Sequence, residues 1–80
     1  MPRYYFDLHN GTGLTADEEG LEFPDLEAAR RSAIESIRSL LMGELRDGRV
    51  DLDGCIVIRD GAGGEPVRVM FDEAVEIKRS

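Results

Sequence analysis

The 80-residue sequence predicts an α+β fold of order β-β-α-β-β, a four-stranded antiparallel sheet (strand order 2-1-3-4) with one helix on one face. Three observations predict it. The segments 2–9 and 67–71 alternate apolar and polar residues with a period of two, as half-buried strands do. Leu26 to about Asp47 repeats with helical period. Clusters of Asn, Asp and Gly at 10–13, 17–20 and 60–65 separate these segments with residues suited to turns.

The first strand places Tyr4, Phe6 and Leu8 on one face and Arg3, Tyr5, Asp7 and His9 on the other. Asn10-Gly11-Thr12-Gly13 tolerates positive φ and turns the chain into a hairpin. Leu14 to Asp17 is a weaker second strand, with Leu14 and Ala16 expected on the inner face. Asp17-Glu18-Glu19-Gly20 is a second turn, after which Leu21 and Phe23 are expected to cover the start of the helix. Asp25 is placed to cap the helix and Glu27 to favour the positive end of its dipole. Within the helix, Leu26, Ala29, Ala33, Ile34, Ile37, Leu40, Leu41 and Leu45 share an arc of roughly 160°, and Ala29 and Ala33 allow close approach to a sheet. Arg30 and Glu44 intrude on that arc. Glu27, Arg31, Glu35 and Arg38 form a solvated opposite face. Gly48 is suited to a left-handed cap. The strand Cys55–Arg59, the loop 60–65 and the strand Val67–Phe71 form the second hairpin, with Val67, Val69 and Phe71 inward. Ala74–Ile77 is expected to extend this edge or close the fold, and Lys78–Ser80 to fray.

Composition bounds the function. The length gives a single domain over residues 1–80, without repeats or linkers. At 8.9 kDa a compact monomer would expose roughly 4,800 Å² against roughly 13,000 Å² for the extended chain, so its core is thin. The net charge of −7 argues against nucleic-acid binding. It is unevenly spread: residues 1–29 carry −6, residues 30–50 carry +2 and residues 51–80 carry −3. The helix is thus a mildly positive ridge on a negative protein, which across a dimer or partner contact favours head-to-edge electrostatic pairing. No segment reads as a membrane span or a signal segment, so the expected location is the cytoplasm. Cys55 is the only cysteine and reads as a small buried apolar residue.

The sheet face without a helix carries an apolar centre of Tyr5, Cys55, Val57 and Met70 with charges around it, which marks it as an interface between two copies. Pairing of an edge strand across a two-fold axis is the other route to a homodimer. Two chemical readings stand beside this. Asp7, His9 and Asp17-Glu18-Glu19 offer carboxylates and one imidazole to a divalent ion, although turn and surface roles account for the same residues. His9 and Cys55 lie on neighbouring strands and are the types that make a base and a nucleophile. Walker, Rossmann and nucleophile-elbow patterns are absent, and Gly61-Ala62-Gly63-Gly64 lacks the Lys-Ser/Thr of a phosphate loop. The expectation is therefore no catalytic, cofactor or metal residue, and no enzyme.

Pro2-Arg3-Tyr4-Tyr5-Phe6-Asp7-Leu8-His9-Asn10-Gly11, with Asp17-Glu18-Glu19-Gly20 and Phe23-Pro24-Asp25-Leu26-Glu27-Ala28-Ala29-Arg30, resembles the small bacterial proteins grouped as domain of unknown function 6894. The resemblance runs over nearly the whole chain, to Phe71-Asp72-Glu73-Ala74-Val75, and implies no activity. In layout only, through Pro24-Asp25 ahead of an alanine-rich helix, the chain is also similar to small antitoxin-like domains. That likeness implies a regulatory subunit that binds a basic partner protein.

Overall fold

In the computed structural model, residues 1–78 are described. Arg79 and Ser80, part of the expected frayed end, lie outside them. Strand β1 (Arg3–Asn10) is central. Along one side it pairs antiparallel with β4 (Cys55–Asp60), from Tyr4 opposite Asp60 to His9 opposite Cys55. Strand β4 pairs in turn with β5 (Val67–Met70), from Cys55 opposite Met70 to Ile58 opposite Val67. The other side of β1 is shared by two short strands, β2 (Gly13–Thr15) and β3 (Leu21–Glu22). The sheet has five strands, ordered β2-β1-β4-β5 with β3 also on β1. The expected four-stranded order 2-1-3-4 therefore needs one added strand. Strand β3 is two residues long, too short to show a period, and it pairs only because the chain loops out between β2 and β3.

That excursion is a register slip. Leu8 faces Thr15, but Tyr4 faces Leu21, so three residues of β1 oppose five on the partner side. Phe6 N–H, left without a backbone acceptor, donates to Asp17 Oδ2 at 3.0 Å. Asp17 Oδ1 accepts from Glu19 N and Gly20 N, each at 3.1 Å, and closes the turn. Gly20 has φ +70° and lies so close to β1 that a Cβ would stand 2.8 Å from the Tyr4 carbonyl oxygen. Both constraints select glycine.

Helix α1 (Leu26–Arg46) begins where Asp25, in extended conformation, accepts Ala28 N–H at 2.8 Å, and ends at Asp47 with Gly48 at φ +82°. Ala29, Ala33, Ile37 and Leu41 are buried against Tyr4, Ile56, Ile58 and Val69. The two alanines let the helix come close to the sheet, as their spacing predicts. Phe23 closes the start of the helix: its ring centroid lies 5.8 Å from that of Phe6 and 6.4 Å from that of Tyr4. Phe71, expected at the end of a strand, instead opens a 3-10 turn (Phe71–Glu73) and is fully buried. Ala74 behind it is buried too, so the segment closes the core rather than extending the edge.

Two inward placements do not hold. Leu14 and Ala16 are exposed, because α1 lies over β4 and β5 and leaves the β2 edge uncovered. Leu21 is likewise exposed and does not cover the helix start. The chain as a whole presents 5,899 Å², well above the roughly 4,800 Å² of a compact monomer of its mass. Its radius of gyration is 13.2 Å, where about 11.6 Å is typical of 80 residues.

Candidate interaction site

The open sheet face is organised by an ion pair. Arg59 donates from Nε to Asp7 Oδ2 at 2.6 Å and from Nη2 to Asp7 Oδ1 at 3.2 Å, and Nη2 also reaches the Asp17 carbonyl oxygen at 3.1 Å. Its guanidinium carbon sits 5.0 Å from the centre of the Tyr5 ring, its cross-strand neighbour. Asp17 N–H donates to Asp7 Oδ1 at 2.9 Å. The Arg59 hydrogen bonds hold the Asp7 carboxyl below the usual carboxylate range, against the opposing effect of burial. Burial pushes Asp17 up, but the N–H groups of Phe6, Gly20 and Glu19 outweigh it and leave its carboxyl lowered. Arg59 is raised in return, first by its hydrogen bond to Asp7.

This network decides what the acidic hairpin does. The oxygens of Asp7 and Asp17 offered to a divalent ion in the sequence are spent on Arg59 and on backbone N–H groups. Glu18 and Glu19 are exposed on the turn, and His9 is exposed beside Cys55. Among the described residues no three of His, Cys, Asp and Glu come together as a metal ion would need. The register sets His9 opposite Cys55, the approach that the strand order allowed. Cys55 is only 8% exposed, where a thiol packs as a small apolar residue.

The four candidate interface residues do share the open face. Cys55 stands opposite Met70, Tyr5 opposite Arg59 and Val57 between Asp7 and Arg68. Tyr5, Val57 and Met70 are half-buried. Its apolar centre is therefore shallow and interrupted by the Asp7–Arg59 pair.

The edge of β5 is blunted. Phe71 N–H donates to Gly54 O, so the alternate residues Arg68 and Met70 turn their backbone groups to the free edge. Met70 N–H is already taken by Glu73 Oε2 at 2.7 Å, and Arg30 holds Glu73 Oε1 at 3.0 Å. Such capping discourages strand addition.

The largest apolar exposure lies on the helix side. Leu41, Met42 and Leu45 on the second half of α1 face Val50, Leu52, Val75 and Ile77 across a groove whose one charged lining residue is Arg38. Arg38 Nε donates to the Ala74 carbonyl at 2.7 Å and ties the far wall to the helix. Met42, Leu45 and Ile77 are each about two-thirds exposed or more, and Val50 is 42% exposed. The sequence pattern puts Leu45 in the core arc and Ile77 in the segment expected to extend the edge or close the fold, and gives Met42 and Val50 no role. The signal was present, since Arg38, Leu41, Met42 and Leu45 repeat as i, i+3, i+4 and i+7. A sheet too narrow to cover both ends of a 21-residue helix leaves that stripe open.

A five-stranded antiparallel sheet with one helix packed on one face, polar locks on its open face and an apolar groove beside the helix define a small two-layer α+β protein. The chain belongs to the family described as Domain of unknown function (DUF6894), which matches residues 3–72, in keeping with the resemblance of its opening and acidic turn. No curated protein and no solved structure gives a significant match. No helix among the described residues is long and apolar enough to cross a membrane.

Proposed function

We propose that this chain is a non-enzymatic protein-interaction module whose first partner is a second copy of itself. The observation that carries the reading is the surface it leaves uncovered. The excess over a compact monomer is on the order of 1,000 Å², and a standard interface takes about 800 Å² from each partner. Met42, Leu45, Val50 and Ile77, 67%, 66%, 42% and 72% exposed, gather much of that uncovered apolar surface in one groove. The open face offers less, because Cys55 is buried and Tyr5 is held under Arg59. Sedimentation velocity from 5 to about 500 μM tests the reading, the upper limit lying well above ordinary dimer affinities. Association across that range is expected, and a strict monomer throughout would overturn it.

A second reading rests on the acidic edge. Residues 1–29 carry −6, and Leu14 and Leu21 stand exposed among Glu18, Glu19 and Glu22. An antitoxin-like or regulatory subunit that binds a basic protein would use that edge. Co-purification of one stoichiometric basic protein from the native cell, lost in Leu21→Lys, supports this reading, and recovery of the chain alone opposes it.

A further inference from the structure

We propose that the helix-side groove takes a basic amphipathic helix of a partner protein, with apolar side chains along the groove and Lys or Arg at its acidic end. The inference rests on the interaction-module reading above, not on self-association, and adds a partner chemistry and the site that receives it.

The groove opens onto a second hollow. Val50 lines both, and the second lies between the end of α1 and Gly11-Thr12, at the tip of the β1–β2 hairpin. Glu44, Asp47, Asp51 and Asp53 line this cleft against Arg49 alone, a net charge of −3. None of the four carboxylates makes an ion pair among the described residues. Glu44 accepts Asp51 N–H and Asp51 accepts Asp53 N–H, each at 2.9 Å, which orients these two acids without neutralising them. The C-terminal end of the α1 dipole adds charge of the same sign. Arg46 lines neither hollow. Arg38 stands at the far end of the groove, two helical turns or roughly 10 Å back from Leu45, and is held to the Ala74 carbonyl.

Charge therefore changes sign along an apolar floor, and that selects the occupant. A purely apolar segment gains nothing from the four carboxylates. A basic segment without apolar anchors leaves Met42, Leu45 and Ile77 in water. A helix with anchors at i, i+3 or i+4 and i+7 covers the two turns from Arg38 to Leu45, and a cation in its next turn reaches the acids. A second copy fits less well. Seated groove on groove, it brings two acidic clefts near each other, and like charges across a contact oppose it.

The probe is a labelled amphipathic peptide of leucine and lysine with helical period, beside a twin that carries glutamate for every lysine. Fluorescence anisotropy should give a micromolar Kd for the lysine peptide and binding about tenfold weaker, or less, for the twin. Met42→Asn makes the groove polar, and Asp47→Asn with Asp53→Asn removes two charges of the cleft. Each should weaken lysine-peptide binding about five- to tenfold. Glu18→Gln with Glu19→Gln removes the same charge from the turn between β2 and β3 and should change nothing. All these sites are exposed, and circular dichroism checks that each variant folds. Raising salt from about 50 to about 500 mM should weaken peptide binding about tenfold and strengthen self-association. Equal weakening by the two charge-removing pairs would mean general attraction to an acidic protein and would overturn the inference. Unchanged binding to Met42→Asn, or equal affinity for the twin, would overturn it too. Peptide binding by a chain that stays monomeric would overturn self-association alone; self-association without peptide binding would overturn this inference alone.

Discussion

Replacing Asp17 by Ala should cost more than any other exposed or half-buried polar substitution in the first thirty residues. Its carboxylate accepts three backbone N–H groups, from Phe6, Glu19 and Gly20. The Phe6 donor lies within the central strand, and a half-buried N–H left without an acceptor costs about 1–3 kcal/mol. The other two donors can turn to water and add about 0.5–1 kcal/mol together. The expected loss is about 2–3 kcal/mol, a large share of the roughly 4–12 kcal/mol typical of 80 residues. It should lower the melting temperature by about 10–20 °C. Asp17→Asn keeps one acceptor oxygen and should lose about half as much. Because the folded carboxyls of Asp7 and Asp17 titrate below the ordinary aspartate value of about 3.9, their stabilisation is complete above that pH. It is lost as pH falls through the depressed folded values, so the acid limb of wild-type stability should flatten in Asp17→Ala. Urea unfolding by far-ultraviolet circular dichroism between pH 2.5 and 7 measures both effects. A loss below about 0.5 kcal/mol at pH 7, within the range of ordinary surface substitutions, would refute the assignment of Asp17 as the stand-in for a strand.

Other substitutions probe neighbouring parts of the account. Asp7→Asn removes the charged partner of Arg59 and weakens the acceptor for Asp17 N–H; a loss of about 1–2 kcal/mol is expected, coupled to rather than additive with Asp17→Ala in a double-mutant cycle. Gly54→Ala would place a methyl group 2.4 Å from Phe71 Cε2 and 2.8 Å from the His9 carbonyl oxygen, so destabilisation of about 1–3 kcal/mol is expected in urea unfolding. Gly43→Ala meets nothing within 4 Å in the helix interior and should instead stabilise by about 0.5–1 kcal/mol; the same sign at both glycines would contradict the packing described.

The long elements were legible because their periods are long enough to count. The eight residues of β1 and the 21 of α1 carry their facing in the pattern, and Asp25 with Gly48 mark where the helix starts and stops. The two-residue β3 carries no period, so the fifth strand could not be read. Leu14 was misplaced for a related reason: alternation shows which residues share a face, not how far the helix reaches over it. Tyr5, Cys55, Val57 and Met70 do lie on one sheet face, as the period of two places them, but the Asp7–Arg59 pair that divides them could not be read from it. That the Asp17 carboxylate accepts Phe6 N–H while its own N–H donates to Asp7, and that Arg59 links the Asp7 carboxylate to the Asp17 carbonyl, depends on a register slip with no local sequence signature. The groove was missed because Met42, Val50 and Ile77 lie far apart in the chain and meet only when the helix overhangs the sheet.

Amide chemical shifts followed through a dilution series of uniformly ¹⁵N-labelled protein test the central claim most directly, because they locate a self-contact residue by residue. The account predicts concentration-dependent shifts at Leu41–Leu45, Val50 and Val75–Ile77. Shifts centred on Tyr5, Cys55, Val57 and Met70, or none across the range, would contradict it.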